Sequence, residues 1–391
     1  MTSAPVAGAI DLGRESADVL SWVIDTVVSA NAAEVDRSGA YPRAAVDALG
    51  RIGFLGLVSA TEVGGLGADL GTAAHVIERV AEACGSTAMA MLTHYTAATV
   101  IEAHGPEDVR RAIAAGEHVS TLAFPEAASP GHFLTSTGTA TTVDGDRGQV
   151  SLEAQKSWVT SATEADSYVW SSRSLEAAGP MTLWLVPSGA QGLCCAGVFH
   201  GLGLRGDASS PVTAKGARVP AAAMLGADGA GLEVALHTVL PTFLVLNAAF
   251  SLGLAEALTS EALAYLSGTR LEHLDEPLAE QPLAPAAYAR LRTRTDQARA
   301  FLRDTLVAVK SGRHDARLRV LQVRAVAAEA ASQVADEAMR LCGAALRGEL
   351  GVERRFRDAL TARAMAPDTD ALLDAVGRVS CGLQLPDGGG V

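Results

Sequence analysis

Basic charge is what this sequence most lacks. Lys and Arg number 31 against 44 Asp and Glu, for a formal net charge of −13. So acidic a surface repels phosphate backbones and anionic lipid, which excludes nucleic acid and membrane as main partners and favours simple solubility. Cysteine is also scarce. Cys84, Cys194, Cys195, Cys342 and Cys381 form no CxxC pair and no zinc spacing, and the nine histidines form no HExxH. Reduced thiols in a cytoplasmic protein without a structural metal are the expectation. No apolar run reaches the roughly 20 unbroken residues of a membrane span. The most apolar stretch, Leu240 to Leu258, is broken by Pro241, Thr242, Asn247 and Ser251 and reads as a buried core helix. The first basic residue is Arg14, so no charged segment precedes an apolar core near the N-terminus.

Apolar residues make up 49% of the chain, and aromatics only 4%. That composition suits helices packed through small side chains. From about Ser16 to Ala115, apolar positions such as Val19, Trp22, Val23 and Val27 recur every three or four residues. Between about Thr121 and Gly231, short branched and aromatic segments alternate with Gly, Asp and Pro turns: Val150 to Leu152, Trp158 to Thr160, Ser167 to Trp170 and Met181 to Val186. Helical stripes then return, through Leu291, Ala298, Leu302 and Leu306, and again through Val320, Val323, Ala327 and Val334. The expected fold class is α+β, mainly α. It comprises an N-terminal helical domain (1–120), a central β-barrel-like domain (121–231) and a C-terminal four-helix bundle (232–391). Strands inserted between two helical regions argue against a doubly wound nucleotide-binding sheet, which needs strands and helices to alternate.

Gly64-Gly65-Leu66-Gly67 follows no strand and is a tight turn rather than a dinucleotide fingerprint. In Lys156-Ser157-Trp158-Val159-Thr160-Ser161, Trp158 and Thr160 project to one face of a strand. A flat apolar plate beside a hydroxyl suits a planar heterocycle, although most such strands face a core. Arg270 and Gln281 flank Pro277, and an arginine fork matches a pyrophosphate, although a solvated arginine is the commoner case. Arg354 to Asp358 reads as an intramolecular ion-pair network.

Taken in order, these segments resemble the acyl-CoA dehydrogenase superfamily over essentially the whole chain. Gly53 to Leu57 with Glu62 to Gly67 is similar to its N-terminal signature, and Leu122-Ala123-Phe124-Pro125-Glu126 to its first flavin-contacting strand. Lys156 to Ser161 is similar to the second such strand, Leu202 to Gly206 and Arg218 to Leu225 to the exit from the β domain, and Arg357-Asp358 to the Arg-Asp pair of the last helices. The resemblance implies FAD between the β domain and the bundle. Leu122, Phe124 and Pro125 would meet the flavin ring through backbone atoms, Trp158 would pack against it, and Thr160 would bond near N5. Arg270 and Gln281 would reach the dinucleotide end of a neighbouring subunit's FAD, with Gly343 in the stretch that helps hold it. A homo-oligomer, dimer or tetramer, is implied.

The sequence also departs from that pattern. The serine that contacts the thioester in relatives is Gly131, Phe-Gly becomes His273-Leu274, and Gly-Gly-x-Gly-Tyr becomes Cys342-Gly343-Ala344-Ala345-Leu346. The family's catalytic glutamate falls on Ala366 or Pro367 of Met365-Ala366-Pro367-Asp368-Thr369-Asp370. The family's other location for the base, Pro241-Thr242-Phe243-Leu244, has no acid until Glu256. Asp368 is the candidate base, with capping of the helix that follows as its structural alternative. The resemblance implies α,β-dehydrogenation of an acyl thioester on CoA or a carrier protein, with an electron-transfer flavoprotein as acceptor. The alternative is a reduced-flavin monooxygenase of the same superfamily. It needs no such base, and it would use FAD, FMN or an exchangeable reduced flavin from a flavin reductase.

Overall fold

The computed structural model describes residues 13–124, 126, 136–143, 145–197, 199–273, 275–343 and 351–383. The N-terminal region is helical: α1 Gly13–Val23, a π turn Ile24–Val28, α2 Ser29–Ser38, α3 Arg43–Arg51, α4 Leu70–Ala83, α5 Gly85–His104 and α6 Glu107–Ala114. Asp69 caps α4 by accepting from the Thr72 N–H at 3.0 Å. The 64–67 segment is a turn, with Gly64 and Gly67 at φ 96° and 61°. A Cβ on Gly65 would lie 2.2 Å from the Ser59 carbonyl oxygen, which restricts that position to glycine.

The strands follow: β1 Ser120–Ala123, β2 Thr139–Val143, β3 Asp146–Val159, β4 Ser167–Ser172, β5 Thr182–Pro187, β6 Leu193–Cys195, β7 Ser210–Pro220 and β8 Met224–Leu225. They form two four-stranded sheets, β1-β4-β5-β8 and β2-β3-β7-β6. Only the β1–β4 pair is parallel; every other pair in these two sheets is antiparallel. Trp170 and Trp184 from one sheet pack with Leu152, Val212 and Val219 from the other in a single buried cluster. The expected barrel-like domain is therefore a pair of sheets, with no closed barrel among the described residues. Closure needs the edge strands to pair along their length. Here the sheets meet through one isolated antiparallel bridge, between Glu126 and Lys156.

The C-terminal region begins with α7 Gly231–Val234, a π turn Ala235–Val239 and α8 Leu240–Gly268. A two-stranded hairpin follows, β9 Arg270–Leu271 and β10 Glu276–Pro277, then α9 Ala284–Ser311, α10 Ala316–Leu341, α11 Val352–Ala364 and α12 Thr369–Ser380. α5 and α8 are apolar almost all round, and helices of that kind are buried. The continuous helix Gly231–Gly268 is long and apolar enough to cross a membrane by length and composition, but 78% of its most apolar window is buried inside the protein. It packs tightly on α4, where a Cβ on Gly253 would lie 2.3 Å from the Glu78 carbonyl oxygen. Arg299 of α9 bonds Glu78 of α4 at 2.7 Å and Glu256 of α8 at 2.9 Å, joining three helices.

Candidate functional site

One wall of the site is built around β1. His94 of α5 is fully buried, and its Nδ1 accepts from the Ser120 N–H at 3.1 Å. Its Nε2 therefore carries the proton and donates to the Leu55 carbonyl at 3.0 Å. Burial pulls this imidazole down to about 4, so it is neutral and anchors the start of the strand. Thr121 then donates to the Thr160 carbonyl at 2.8 Å, which places the end of β1 beside the end of β3. Leu122 and Phe124 are buried against the helical core.

Behind that wall lies a buried ion pair. Lys156 Nζ is 2.6 Å from Glu126 Oε1 and donates also to the Ser171 carbonyl and hydroxyl at 2.8 and 2.9 Å. The Phe124 carbonyl lies 3.4 Å from the same ammonium. Glu126 Oε2 accepts from the backbone N–H groups of Thr137 and Gly138, each at 2.8 Å. Burial pulls Lys156 down to about 8, against the attraction of Glu126, so the pair is charged at neutral pH. Burial alone would raise the Glu126 carboxyl, but Lys156 and the Thr137 donors hold it below its ordinary range.

At the end of β3, Trp158 is 61% exposed while Thr160 is buried. The indole lies 4.2 Å, centroid to centroid, from Phe199 with the planes tilted by 33°. Among the described residues the Thr160 hydroxyl has a single long contact, 3.5 Å to Ser209, which leaves it free to turn toward a ligand. Ser161 turns the chain at φ 57°, and its N–H donates to the Asp207 carbonyl at 2.8 Å. An exposed indole, a loosely engaged hydroxyl and the end of a strand fit the edge of a planar heterocycle.

The second wall comes from α11 and α12. Asp358 accepts from the Leu204 N–H at 2.7 Å, and Thr361 accepts from the Gly203 N–H at 3.0 Å. A Cβ on Gly203 would lie 2.3 Å from the Arg357 carbonyl oxygen, so the exit loop of the β domain can dock there only with glycine. Arg357 pairs with Asp36 of α2 at 2.6 Å. Arg324 of α10, fully buried, holds the elbow between α11 and α12. Its guanidinium donates to the carbonyls of Ala362 and Met365 at 2.9 and 2.8 Å and to the Thr369 hydroxyl at 3.1 Å. Burial pulls Arg324 down to about 10, opposed by Asp368.

Leu122, Phe124, Trp158 and Thr160 thus converge on the β-domain side. Pro125 lies outside the described residues. Gly343 is exposed directly after α10. Among the described residues, the Arg270 and Gln281 side chains bond within their own segment: Arg270 to Asp275 at 2.7 Å, and Gln281 to Glu276 at 3.1 Å. Asp368 is exposed, and its Oδ1 accepts from the Ala371 N–H at 2.8 Å, capping α12. Capping, the structural alternative, is therefore a role Asp368 fills. Glu256 is engaged by Arg292 at 2.8 Å and by Arg299 at 2.9 Å. Phe199, His94, Arg324 and the Glu126–Lys156 pair are site-supporting residues that sequence reasoning missed. A lysine two residues before the Trp158 position, in a strand otherwise facing a core, was the one available signal.

The N-terminal, middle and C-terminal domains of acyl-CoA dehydrogenases match residues 14–116, 122–217 and 229–380. The short-chain specific acyl-CoA dehydrogenase of Bos taurus mitochondria is 26% identical over 349 residues, covering 84% of this chain and 80% of that protein. The butyryl-CoA dehydrogenase of Megasphaera elsdenii superposes with a TM-score of 0.86 at 20% identity, over 95% of this chain and 99% of the other. The prolyl acyl carrier protein oxidase AnaB gives 0.83 at 19% identity, over 94% and 99%. With all three domains matched in order, the chain belongs to the acyl-CoA dehydrogenase family and is a flavin-dependent oxidoreductase that binds FAD.

Proposed function

We propose that the protein removes hydrogen from the α and β carbons of an acyl thioester carried on CoA or a carrier protein. Relatives whose names specify butyryl-CoA and short-chain acyl-CoA thioesters, and one that names a prolyl carrier protein, support that substrate class. The observation that carries the reading is the elbow. Arg324 pins it from behind, and Asp368 is the first carboxylate beyond it. Bound FAD supplies the acceptor for the hydride that leaves the β-carbon. Asp368 takes the α-proton on Oδ2, because Oδ1 accepts from the Ala371 N–H. The Thr160 hydroxyl and the backbone of Leu122 and Phe124 would hold the flavin edge, with the paired rings of Trp158 and Phe199 beside it. In a homo-oligomer, Arg270 and Gln281 would exchange Asp275 and Glu276 for the dinucleotide of a neighbouring subunit. An electron-transfer flavoprotein would be the external electron acceptor.

Anaerobic mixing of the FAD-loaded protein with butyryl-CoA tests this reading. Loss of the oxidised-flavin absorbance is expected. A flavin–oxygen adduct on aerobic mixing of the reduced protein, with no bleaching by any thioester, overturns it in favour of oxygen chemistry.

A further inference from the structure

The interior of α8 holds two polar side chains that meet no partner among the described residues. Asn247 is 0% exposed, and both its amide nitrogen and its amide oxygen are unpartnered; Ser251 is 1% exposed with an unpartnered hydroxyl. Thr259, the buried hydroxyl two turns further along α8, is satisfied: it donates to the Ala255 carbonyl at 2.8 Å and lies 3.1 Å from Thr295. Since buried polar atoms are nearly always bonded, a pair of orphans one turn apart in an apolar helix calls for a partner from outside the protein.

Helix geometry gives their direction. At about 100° per residue, Asn247 and Ser251 stand about 40° apart on one face. Gly253 marks the face against α4, while Glu256 and Thr259 mark the face against α9. Glu261, which pairs with Arg355 of α11, marks a third face, and Asn247 lies about 40° from it. The orphans therefore point to the side from which α11 approaches.

Their depth follows as well. α9 runs back along α8, with Glu256 against Arg299 and Thr259 against Thr295, and α10 runs back along α9, with Arg290 near Glu337 and Arg319 near Asp304, so α10 runs parallel to α8. Arg355, near the start of α11, bonds Glu261, and Arg324 holds Ala362 and Met365 at its other end. Met365 is ten residues beyond Arg355, and ten residues back from Glu261 along α8 is Ser251, one turn beyond Asn247. Asn247 thus sits at the level of the elbow, on the face turned toward it.

We propose that Asn247, with Ser251, forms a hydrogen-bonding subsite for a hydroxyl group on the acyl chain, making the substrate a hydroxylated acyl thioester. This rests on the dehydrogenase reading above. An alcohol both donates and accepts, so it satisfies Oδ1 and Nδ2 of Asn247 together. A carboxylate only accepts and would leave Oδ1 unbonded, and an alkyl chain would leave every orphan as it is.

The test compares 4-hydroxybutyryl-CoA, whose hydroxyl leaves the α,β bond free, with butyryl-CoA. Binding to the FAD-loaded protein is measured by calorimetry without oxygen. The wild type should bind the hydroxylated thioester about tenfold more tightly, as one satisfied buried bond allows. Asn247→Leu, which replaces the orphan with an apolar side chain of similar size, should abolish or invert that preference while butyryl-CoA binding holds or improves. Ser251→Ala, a milder change, should reduce the preference in part. A wild-type preference below about twofold, or one unchanged in Asn247→Leu, overturns the subsite and leaves the dehydrogenase reading standing. Binding of neither thioester by a protein that retains its FAD overturns both.

Discussion

Behind the two walls of the site lie two buried cations, stabilised by different means. Lys156 faces a carboxylate at 2.6 Å, a carbonyl and a hydroxyl, with the Trp170 ring centroid 5.1 Å away. Arg324 has no ion pair among the described residues. Carbonyls at the C-terminal end of α11 and one hydroxyl hold it, and its Nε is unpartnered. The first arrangement is a closed unit of charge, and its removal is a matter of stability. The second uses the negative end of a helix dipole to hold a cation, and what it fixes is the place where α11 turns into α12.

The largest effect is expected at the elbow itself. Asp368→Asn should slow anaerobic flavin bleaching by a thioester about a hundred- to ten-thousand-fold, the usual contribution of a positioned base. Melting temperature should not move, because Asn caps a helix as well as Asp does. An unchanged bleaching rate would leave Asp368 with the capping role alone.

On the other wall, Lys156→Met strands the Glu126 carboxylate and should destabilise the protein by about 3 kcal/mol in chemical denaturation. Adding Glu126→Gln should recover a large part of that loss, since the charge left behind is gone. Equal losses in the single and double variants would show that the pair is not a unit.

Arg324→Met strands only neutral carbonyls and a hydroxyl, so its stability cost should be smaller, about 2 kcal/mol. Thioester binding should nevertheless fall further than in Lys156→Met, because the elbow loses its anchor. Calorimetry on both variants checks the order, and the reverse order would show that Arg324 does not anchor the elbow.

The smallest effect concerns Asp358, which burial raises from 3.8 to about 6 against the Leu204 N–H and Arg354. A carboxyl with a raised folded-state value gives up its proton more easily when unfolded. Its ionisation therefore costs nothing below 3.8 and has its full effect above about 6. Asp358→Asn keeps an acceptor for Leu204. It should melt with the wild type at the acidic end of that window and on the order of 2 °C higher at pH 7.

Where the sequence was informative, local chemistry carried the information. The stripes through Leu291 and Leu306, and through Val320 and Val334, fall inside α9 and α10 because helical periodicity is a property of neighbours along the chain. The strand segments 167–170 and 181–186 correspond to β4 and β5 for the same reason. The Lys156 to Ser161 and Leu122 to Glu126 segments likewise carried the family pattern. Closure of the β domain was not legible. Whether strands form a barrel depends on pairing between distant edges, and the bridge from Glu126 to Lys156 spans thirty residues of sequence. Arg324 was hidden differently. It sits inside an apolar stripe, where a lone arginine looks like a solvated neighbour of Val323, and nothing local tells that carbonyls forty residues on will receive it. Asn247 and Ser251 were visible as interruptions of an apolar run, but only burial and missing partners gave them meaning.

The π turn Ala235–Val239 has a further consequence. Each such turn carries one residue more than an α-helical turn would, so this long helix contains slack. Loss of a single codon there would let the helix close as α and swing the preceding segment, Gly231–Val234, by about 100° relative to α8. Everything beyond Leu240 would keep its neighbours. Evolution can therefore re-aim the junction between sheet and bundle by deletion without disturbing the helix face that carries Asn247.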